Sequence, residues 1–550
     1  MLNMKFPLFE FRLFQLQIFF NLWLLLFIIA NTPRSYASDV FKNKVSLSTV
    51  EIIQKNGYAV EIHEVVTEDG YILEMHRIPR NRRNQDPTKN HPVFVHHGLL
   101  GSSADWVLAG ANMSLPMQLS DAGFDVWLTN CRGNTYSRKH TSLTVNQNAF
   151  WDFSIDEIGK YDLPAAIDYI LIETNSSQLH YIGFSMGTSV FFIMASERPE
   201  YQPKIRSQIS LAPVAYLTNS RSIVKHFAVY SKIINTMFQR ISKGMFMPHF
   251  RTQDFLASTL CTEKLTRNII CETCFIFSIC GSDPYDFDAD LIPSITSHSP
   301  AGTSAKLTTH YAQLMLKDTF CQYDYGTAMN MRVYNSTVPP TYDLKSIQVP
   351  ITLIYGENDI LSVVKDVTKL KDQLPKLMDF FPVDNPYCNH VDLLWSKDVT
   401  IKINNPVKEI LLKTDDMDWI YPGPNFSLDT KDTSYNNVEK IIYNGNLSLY
   451  PTTNSYDLLG LDFFKGNLDT LIRNTMPISI DDNDTEEFER QRKVLNVVLE
   501  NMIDFSVSID TENKRSHQGY FSNKISNWVE KLSTDFLKDL RETKIDYDRN

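Results

Sequence analysis

The sequence predicts an α/β protein: a mostly parallel sheet with helices on both faces and a large, mainly helical insertion. Three observations carry that expectation. Short apolar runs recur at residues 92–97, 124–128, Leu179–Phe184, Ile205–Leu211 and Ile351–Tyr355. Near-continuous apolar runs of this length mark strands buried on both faces, the condition of a parallel sheet whose crossovers are helices. A stretch with helical spacing, residues 161–172, separates two of them. Finally, about 135 residues lie between Pro213 and Pro350, far beyond the roughly 10–15 that a simple crossover needs. A further unit is inserted there.

The elements follow in order. Lys5 and Arg12 precede the apolar run 22–30, followed by Pro33 and the small-residue pattern Ser35-Tyr36-Ala37. This is the pattern of a secretory signal peptide, residues 1–37, with no membrane-spanning segment expected after its removal. Residues 59–79 hold two extended runs around Glu68-Asp69-Gly70, whose Asp-Gly favours a hairpin turn. The strand at 92–97 ends in a glycine loop, and that at 124–128 ends at Asn130-Cys131-Arg132-Gly133. Expected boundaries are a first core part at 38–213, a cap or lid at 214–348, a second core part at 349–413 and an acidic extension at 414–550.

Composition narrows the function classes. Of 550 residues, 43% are apolar, 21% charged and 12% aromatic, which is globular usage rather than collagenous, coiled-coil or disordered. The net charge of −11 argues against nucleic acid as a partner, because phosphate binding needs a basic surface. From Asp415 onward there are 25 acidic and 15 basic residues, so nearly all of the excess lies in the extension. Helical periodicity persists there at 489–504 and 525–540.

Entry into the secretory route gives meaning to six Asn-x-Ser/Thr acceptors, at Asn112, Asn175, Asn335, Asn425, Asn446 and Asn483. It also favours disulfides over thiolate metal sites. Cys261, Cys271, Cys274 and Cys280 crowd one loop of the insertion, where a local disulfide is expected and zinc is not, since a second paired ligand set is missing.

The chemistry rests on Gly183-Phe184-Ser185-Met186-Gly187, a G-x-S-x-G pattern between a predicted strand and a predicted helix. A serine on so sharp a turn has a strained backbone, and its flanking glycines leave room for neighbouring elements. A serine hydroxyl becomes a nucleophile only when an imidazole removes its proton and a carboxylate orients that imidazole. Downstream, Asp359 follows the Ile351–Tyr355 strand, and His390 lies in Asn389-His390-Val391-Asp392. The order Ser185, Asp359, His390 is that of α/β-hydrolases. Asp384 and Asp392 are the alternative acids. An oxyanion hole requires two backbone amides, for which Met186 and Leu99, in His97-Gly98-Leu99-Leu100-Gly101, are the candidates. His96 and His97 read as strand-end residues beside the site.

These residues, with residues 102–106, 125–138 and 161–165, Ser299-Pro300-Ala301-Gly302-Thr303-Ser304 and Tyr323-Asp324-Tyr325-Gly326, resemble the acid lipases, the gastric, lingual and lysosomal enzymes and their insect relatives. The resemblance runs from about residue 45 to 412. It implies a secreted or lysosomal α/β-hydrolase with a helical cap and lid that acts at a lipid–water interface. The implied reaction is hydrolysis of neutral-lipid esters, triacylglycerol or cholesteryl ester, without cofactor or metal. It also implies Ser185 as nucleophile, Asp359 and His390 as its partners, Leu99 and Met186 as oxyanion donors, and a cap disulfide joining Cys261 to Cys271 or Cys274.

Departures are equally specific. The family's usual elbow is Gly-His-Ser-Gln-Gly, whereas Phe184 and Met186 flank Ser185 here, and both are expected to make the pocket wall more apolar. Cys131 replaces a common Ser, and Cys388 sits two residues before His390, so redox or metal sensitivity is an expectation. The extension has no family counterpart. The rival readings are a short-chain carboxylesterase, an acyltransferase, and an inactive lipid-binding protein.

Overall fold

The computed structural model describes residues 47–80, 90–249, 261 and 267–415. The signal peptide, the acceptors Asn425, Asn446 and Asn483, the periodic tail segments and the Cys274 side chain lie outside the described residues. Among those described, no helix is long and apolar enough to cross a membrane.

The strands are β1 (Glu61–Val66), β2 (Tyr71–Ile78), β3 (Val93–His96), β4 (Val126–Thr129), β5 (Lys139–His140), β6 (Leu179–Phe184), β7 (Ile205–Leu211), β8 (Met245–Phe246), β9 (Thr303–Ser304), β10 (Ile351–Tyr355) and β11 (Leu377–Pro382). The main sheet runs β1-β2-β4-β3-β6-β7-β10-β11, with β5 beside β2. From β4 to β11 the pairings are all parallel, while β1, β2 and β5 form the antiparallel edge. The chain passes from β3 out to β4 and then back to β6 on the other side of β3. That reversal opens a crevice at the carboxyl ends of β3 and β6, the usual place for a site in such sheets.

The principal helices are α1 (Thr49–Lys55), α2 (Leu115–Asp121), α3 (Leu163–Thr174), α4 (Met186–Glu197), α5 (Ser231–Ile241), α6 (Ala305–Leu316), α7 (Thr327–Tyr334), α8 (Val364–Lys371) and α9 (Asn405–Asp415). They cover the sheet on both faces. Alternate strand residues feed two apolar layers, which is why the runs read as continuous. Phe94, Trp127, Tyr181 and Leu353 pack with Ile167 of α3, Val190 of α4 and Leu370 of α8. Val95, Leu128, Ile182 and Ile354 pack with Ile53 of α1, Leu119 of α2 and Leu411 of α9. Burying each such side chain contributes roughly 1.5–3 kcal/mol.

The expected hairpin forms with Gly70 at φ +96°, and its turn has a second task. Asp69 accepts from the Arg132 guanidinium at 2.6 Å and 2.9 Å, and Asp162 accepts from Arg132 Nε at 2.7 Å. A fully buried arginine is tolerated because both carboxylates and the Tyr71 ring, 4.0 Å from its carbon centre, enclose it. This fixes the loop after β4. The helix expected at 161–172 is preceded by a π-helical turn, Ile158–Asp162, and begins two residues later, where Pro164 suits a first turn. The edge strand β11 ends at Pro382, ahead of the loop that carries His390.

Between β7 and β10 the described chain is mainly helical, with only the two-residue pair β8 and β9. A disulfide joins Cys261 to Cys271, while Cys280 is buried and free. α9 runs through Asp415, two residues past the expected end of the core, because Asp415 is held by buried partners of the sheet.

Candidate active site

The turn after β6 is built by close contact. A Cβ on Gly183 would lie 2.7 Å from the Gly187 backbone, and one on Gly187 would lie 2.6 Å from the His96 carbonyl oxygen. α4 therefore approaches β6 at Gly183 and β3 at Gly187 too closely for any larger residue at either position. Ser185 between them has φ +52°, a strained conformation for a non-glycine residue. Its own N–H donates to the Leu211 carbonyl at the end of β7 at 2.9 Å, and its carbonyl accepts from Thr188 N–H at 2.9 Å. The strain is thereby anchored from both sides, and the Ser185 side chain stays half-buried at the crevice.

His390 Nε2 lies 2.8 Å from Ser185 Oγ, and His390 Nδ1 lies 2.6 Å from Asp359 Oδ2. Asp359 is fully buried and accepts Leu361 N–H and Ser362 N–H on its other oxygen, each at 2.8 Å. A carboxylate only accepts, so Nδ1 carries the imidazole proton and Nε2 is free to accept from the serine hydroxyl. The three expected residues therefore meet, in the geometry that activates a serine. Of the alternative acids, Asp384 is exposed. Asp392 Oδ2 instead accepts Asn389 N–H at 2.8 Å, while Asn389 Oδ1 accepts the N–H groups of Val391 and Asp392. Asp392 holds the loop that presents His390.

Sequence reasoning missed the supports of that loop. His390 N–H donates to the Cys280 carbonyl at 3.2 Å, and Asn358 N–H donates to the Cys388 carbonyl at 3.0 Å. A Cβ on Gly356 would lie 2.3 Å from Cys388 O, and one on Gly281 would lie 2.2 Å from Asn358 O. The segment at 280–282, within the insertion, thus wedges against both the acid loop and the histidine loop. The available signal was Gly356 standing directly after β10.

On the other side of Ser185, the turn from Gly98 to Gly101 closes with Gly101 N–H donating to Gly98 O at 3.1 Å, and Leu100 has φ +62°. His97 Nδ1 is 2.8 Å from Gly98 O, while His97 Nε2 accepts Cys131 N–H at 3.2 Å. Burial lowers the pKa of His97 to about 4 and that of His96 to about 3, so both are neutral scaffolding. Ala301 N–H donates to Leu100 O at 2.7 Å, tying the insertion to this turn. Among the described residues, the amides of Leu99 and Met186 donate to no protein acceptor.

The two residues flanking Ser185 part company. Phe184 is 5% exposed, and its ring centre lies 5.2 Å from that of His390, as an apolar wall requires. Met186 is 1% exposed and packs into the layer containing Val190 and Phe191, so its side chain does not line the site, contrary to expectation. Cys131 and Cys388 are both buried, and burial pushes both thiols upward. They are neutral and shielded, which removes the basis for expecting redox or metal sensitivity. The acceptors Asn112, Asn175 and Asn335 are exposed.

Residues 49–110 match the family described as the partial alpha/beta-hydrolase lipase region, and residues 91–240 match the alpha/beta hydrolase fold. Gastric triacylglycerol lipase of Homo sapiens is 37% identical over 371 residues, covering 67% of this chain and 92% of that protein. Lysosomal acid lipase/cholesteryl ester hydrolase of Homo sapiens is 37% identical over 373 residues, again 67% and 92%. Lipase 3 of Drosophila melanogaster is 40% identical over 346 residues, covering 63% of this chain and 88% of that protein. With an elbow serine, its imidazole and its acid brought together on this sheet, and relatives matched across nearly their whole length, the chain belongs to the acid lipase family of α/β-hydrolases.

Proposed function

We propose that the protein is a secreted or lysosomal lipase that hydrolyses the carboxylic esters of neutral lipids, triacylglycerol or cholesteryl ester, through an acyl-enzyme. The observation that carries this reading is the continuous relay from Ser185 through His390 to Asp359. Ser185 Oγ attacks the ester carbonyl as His390 Nε2 takes its proton, and Asp359 stabilises the imidazolium. The amides of Leu99 and Met186 receive the oxyanion, each such donor being worth roughly 3 kcal/mol in the barrier. His390 then protonates the leaving alcohol, and water, activated by the same imidazole, releases the fatty acid.

The insertion at 214–348 acts as cap and lid over an apolar acyl groove, and the enzyme works at a lipid–water interface. Exposure of Asn112, Asn175 and Asn335 suits glycan attachment in the secretory route. The test is hydrolysis of a chain-length series of emulsified glycerides, cholesteryl esters and soluble esters, comparing the secreted protein with Ser185→Ala. Serine-dependent turnover of long-chain emulsions supports the lipase. Preference for short soluble esters reassigns it as a carboxylesterase, and equal, negligible rates from both folded proteins make it a lipid binder.

A further inference from the structure

Ser185 follows the carboxyl end of β6, and His180 is the second residue at its other end. At about 3.3 Å per residue the two are roughly 16 Å apart. His180 Nε2 lies 2.9 Å from Asp415 Oδ1, and His91 Nδ1 lies 2.5 Å from the same oxygen. The three side chains come from the segment before β3, from β6 and from the last residue of α9. Their ligand-capable atoms all lie within 4.8 Å of one another. We propose that His91, His180 and Asp415 bind a divalent transition-metal ion of the zinc class. This site is independent of the hydrolase reading.

Hydrogen bonding gives His180 a way to adopt the tautomer that a ligand needs. Thr414 donates its hydroxyl proton to Ile410 O at 2.8 Å, so toward Ser207 Oγ, 3.4 Å away, it accepts. Ser207, when it donates there, is free to accept from His180 Nδ1, 2.8 Å away. Without an ion, Nε2 donates to Asp415 Oδ1 as His390 Nδ1 does to Asp359; with the proton moved to Nδ1, the Nε2 lone pair is available to a metal. A divalent ion bound there takes the place of the proton between nitrogen and carboxylate. Handing the second ring nitrogen to a protein acceptor is also how ligating imidazoles are oriented.

A second observation points to a ligand. Asp415 is 5% exposed at its side chain, and its Oδ2 is buried with no hydrogen-bond partner among the described residues. Two imidazoles around one carboxylate oxygen leave that atom unserved, whereas an ion can engage either oxygen. Two nitrogens and a carboxylate form the donor set of three-ligand zinc sites with a fourth, open position, and the nitrogens disfavour calcium and magnesium. Bonds of about 2.0–2.1 Å at tetrahedral angles place ligand atoms roughly 3.3 Å apart, an opening of under about 1 Å for each of the two Asp415–imidazole contacts. His91, 23% exposed, gives the ion an entry path. Arg206 already holds α9 here, donating to the Thr414 and Asp415 carbonyls at 3.0 Å and 3.2 Å. The ion locks the helix on which the hydrolase body ends.

The experiment uses the full secreted chain without a polyhistidine tag, stripped with chelator and titrated with Zn²⁺ and with Co²⁺. The expected result is one tight equivalent, the visible absorption of four-coordinate Co²⁺, and a Tm that rises with zinc. His91→Asn and Asp415→Asn each weaken zinc binding by roughly 100-fold or more and abolish the Co²⁺ band, while Ser185-dependent ester hydrolysis is unchanged. Circular dichroism of both variants confirms that they fold. Absence of binding, or binding equal in wild type and both variants, overturns the proposal and leaves the cluster a hydrogen-bonded clamp.

Discussion

The two ends of β6 each hold an aspartate against a histidine, Asp359 with His390 and Asp415 with His180, yet they are different devices. At the carboxyl end the imidazole's second nitrogen meets a hydroxyl on a strained, half-buried turn flanked by unengaged amides. At the amino end the carboxylate oxygen that meets His180 Nε2 meets a second imidazole, with α9 packed alongside. The comparison teaches that an acid–imidazole pair is generic. Its chemistry is set by the third group, by access, and by whether donors stand where negative charge develops.

The largest effects separate these ends. Asp359→Asn is expected to lower kcat roughly 10⁴-fold, by presenting the wrong tautomer to Ser185, and Ser185→Ala to remove at least as much. Asp415→Asn is expected to leave kcat unchanged. A steady-state comparison of the three on one soluble ester measures this, and a large loss from Asp415→Asn would merge the two ends into one site.

Next in size is the backbone of the elbow. Gly187→Ala places a Cβ 2.6 Å from the His96 carbonyl oxygen, and neither backbone segment can retreat without opening the β3–β6 pairing. A loss of roughly 3 kcal/mol or more is expected, read as a lower denaturation midpoint. Gly57→Ala, at φ +86° with nothing within 4 Å of the added atom, measures by contrast backbone strain without a clash, whereas Gly187 has no positive φ and reports the clash alone.

How much of this was legible in the sequence follows from which information is local. Ser185, its glycines and β6 occupy one stretch, and the spacing of Asp359 and His390 after β10 and β11 obeys a fixed chain order, so the relay could be read directly. Asp359 led on its place after β10, but Asp392 stayed an alternative, because the Asn389–Asp392 exchange that removes it from competition exists only in the folded loop. The partner of Cys261 stays open in the sequence between two cysteines three residues apart, and only the fold pairs it with Cys271. His91, His180 and Asp415 lie in three separate stretches with no pattern, and only the parallel sheet and the docking of α9 bring them together. The depth of Met186 was illegible for the same reason: at the first position of a helix, either side of the turn was available to it.

A smaller effect concerns acidity near His390. Burial first, with the neighbouring Asp283 and Asp286 adding to it, raises the Asp392 carboxyl to about 8, against about 3.9 when unfolded. The native state therefore binds this proton more tightly than the unfolded one. Its contribution to stability is full below about pH 4 and declines as pH rises toward about 8. Burial likewise raises Asp105, beside the Gly98–Gly101 turn, to about 7, with the same sign. Lys402 pairs with Asp286 at 3.0 Å and so leaves Asp283 as the carboxyl that faces Asp392. Asp392→Asn, which keeps an acceptor for Asn389 N–H, is expected to flatten the fall in Tm between these pH values. An unchanged slope would place the titration elsewhere.

The smallest effect tests the departure from the family elbow. If both residues beside Ser185 shaped the pocket, restoring the family's residues would change activity at each. The geometry separates them. Phe184 covers His390 with an aromatic face and fills the space over Gly98, where an added Cβ would meet its ring at 2.9 Å. Phe184→His fits that space and exchanges an apolar wall for a polar one, so kcat/KM is expected to move by less than roughly tenfold and most for long acyl chains. Met186→Gln leaves the oxyanion amide in place, because that donor is backbone. It instead buries a primary amide in the layer of Val190 and Phe191, at roughly 1–3 kcal/mol of stability. Measured together, the first variant should alter chain-length preference with little change in Tm, and the second should lower Tm with little change in kcat. The reverse pattern would mean that Met186, not Phe184, faces the acyl chain.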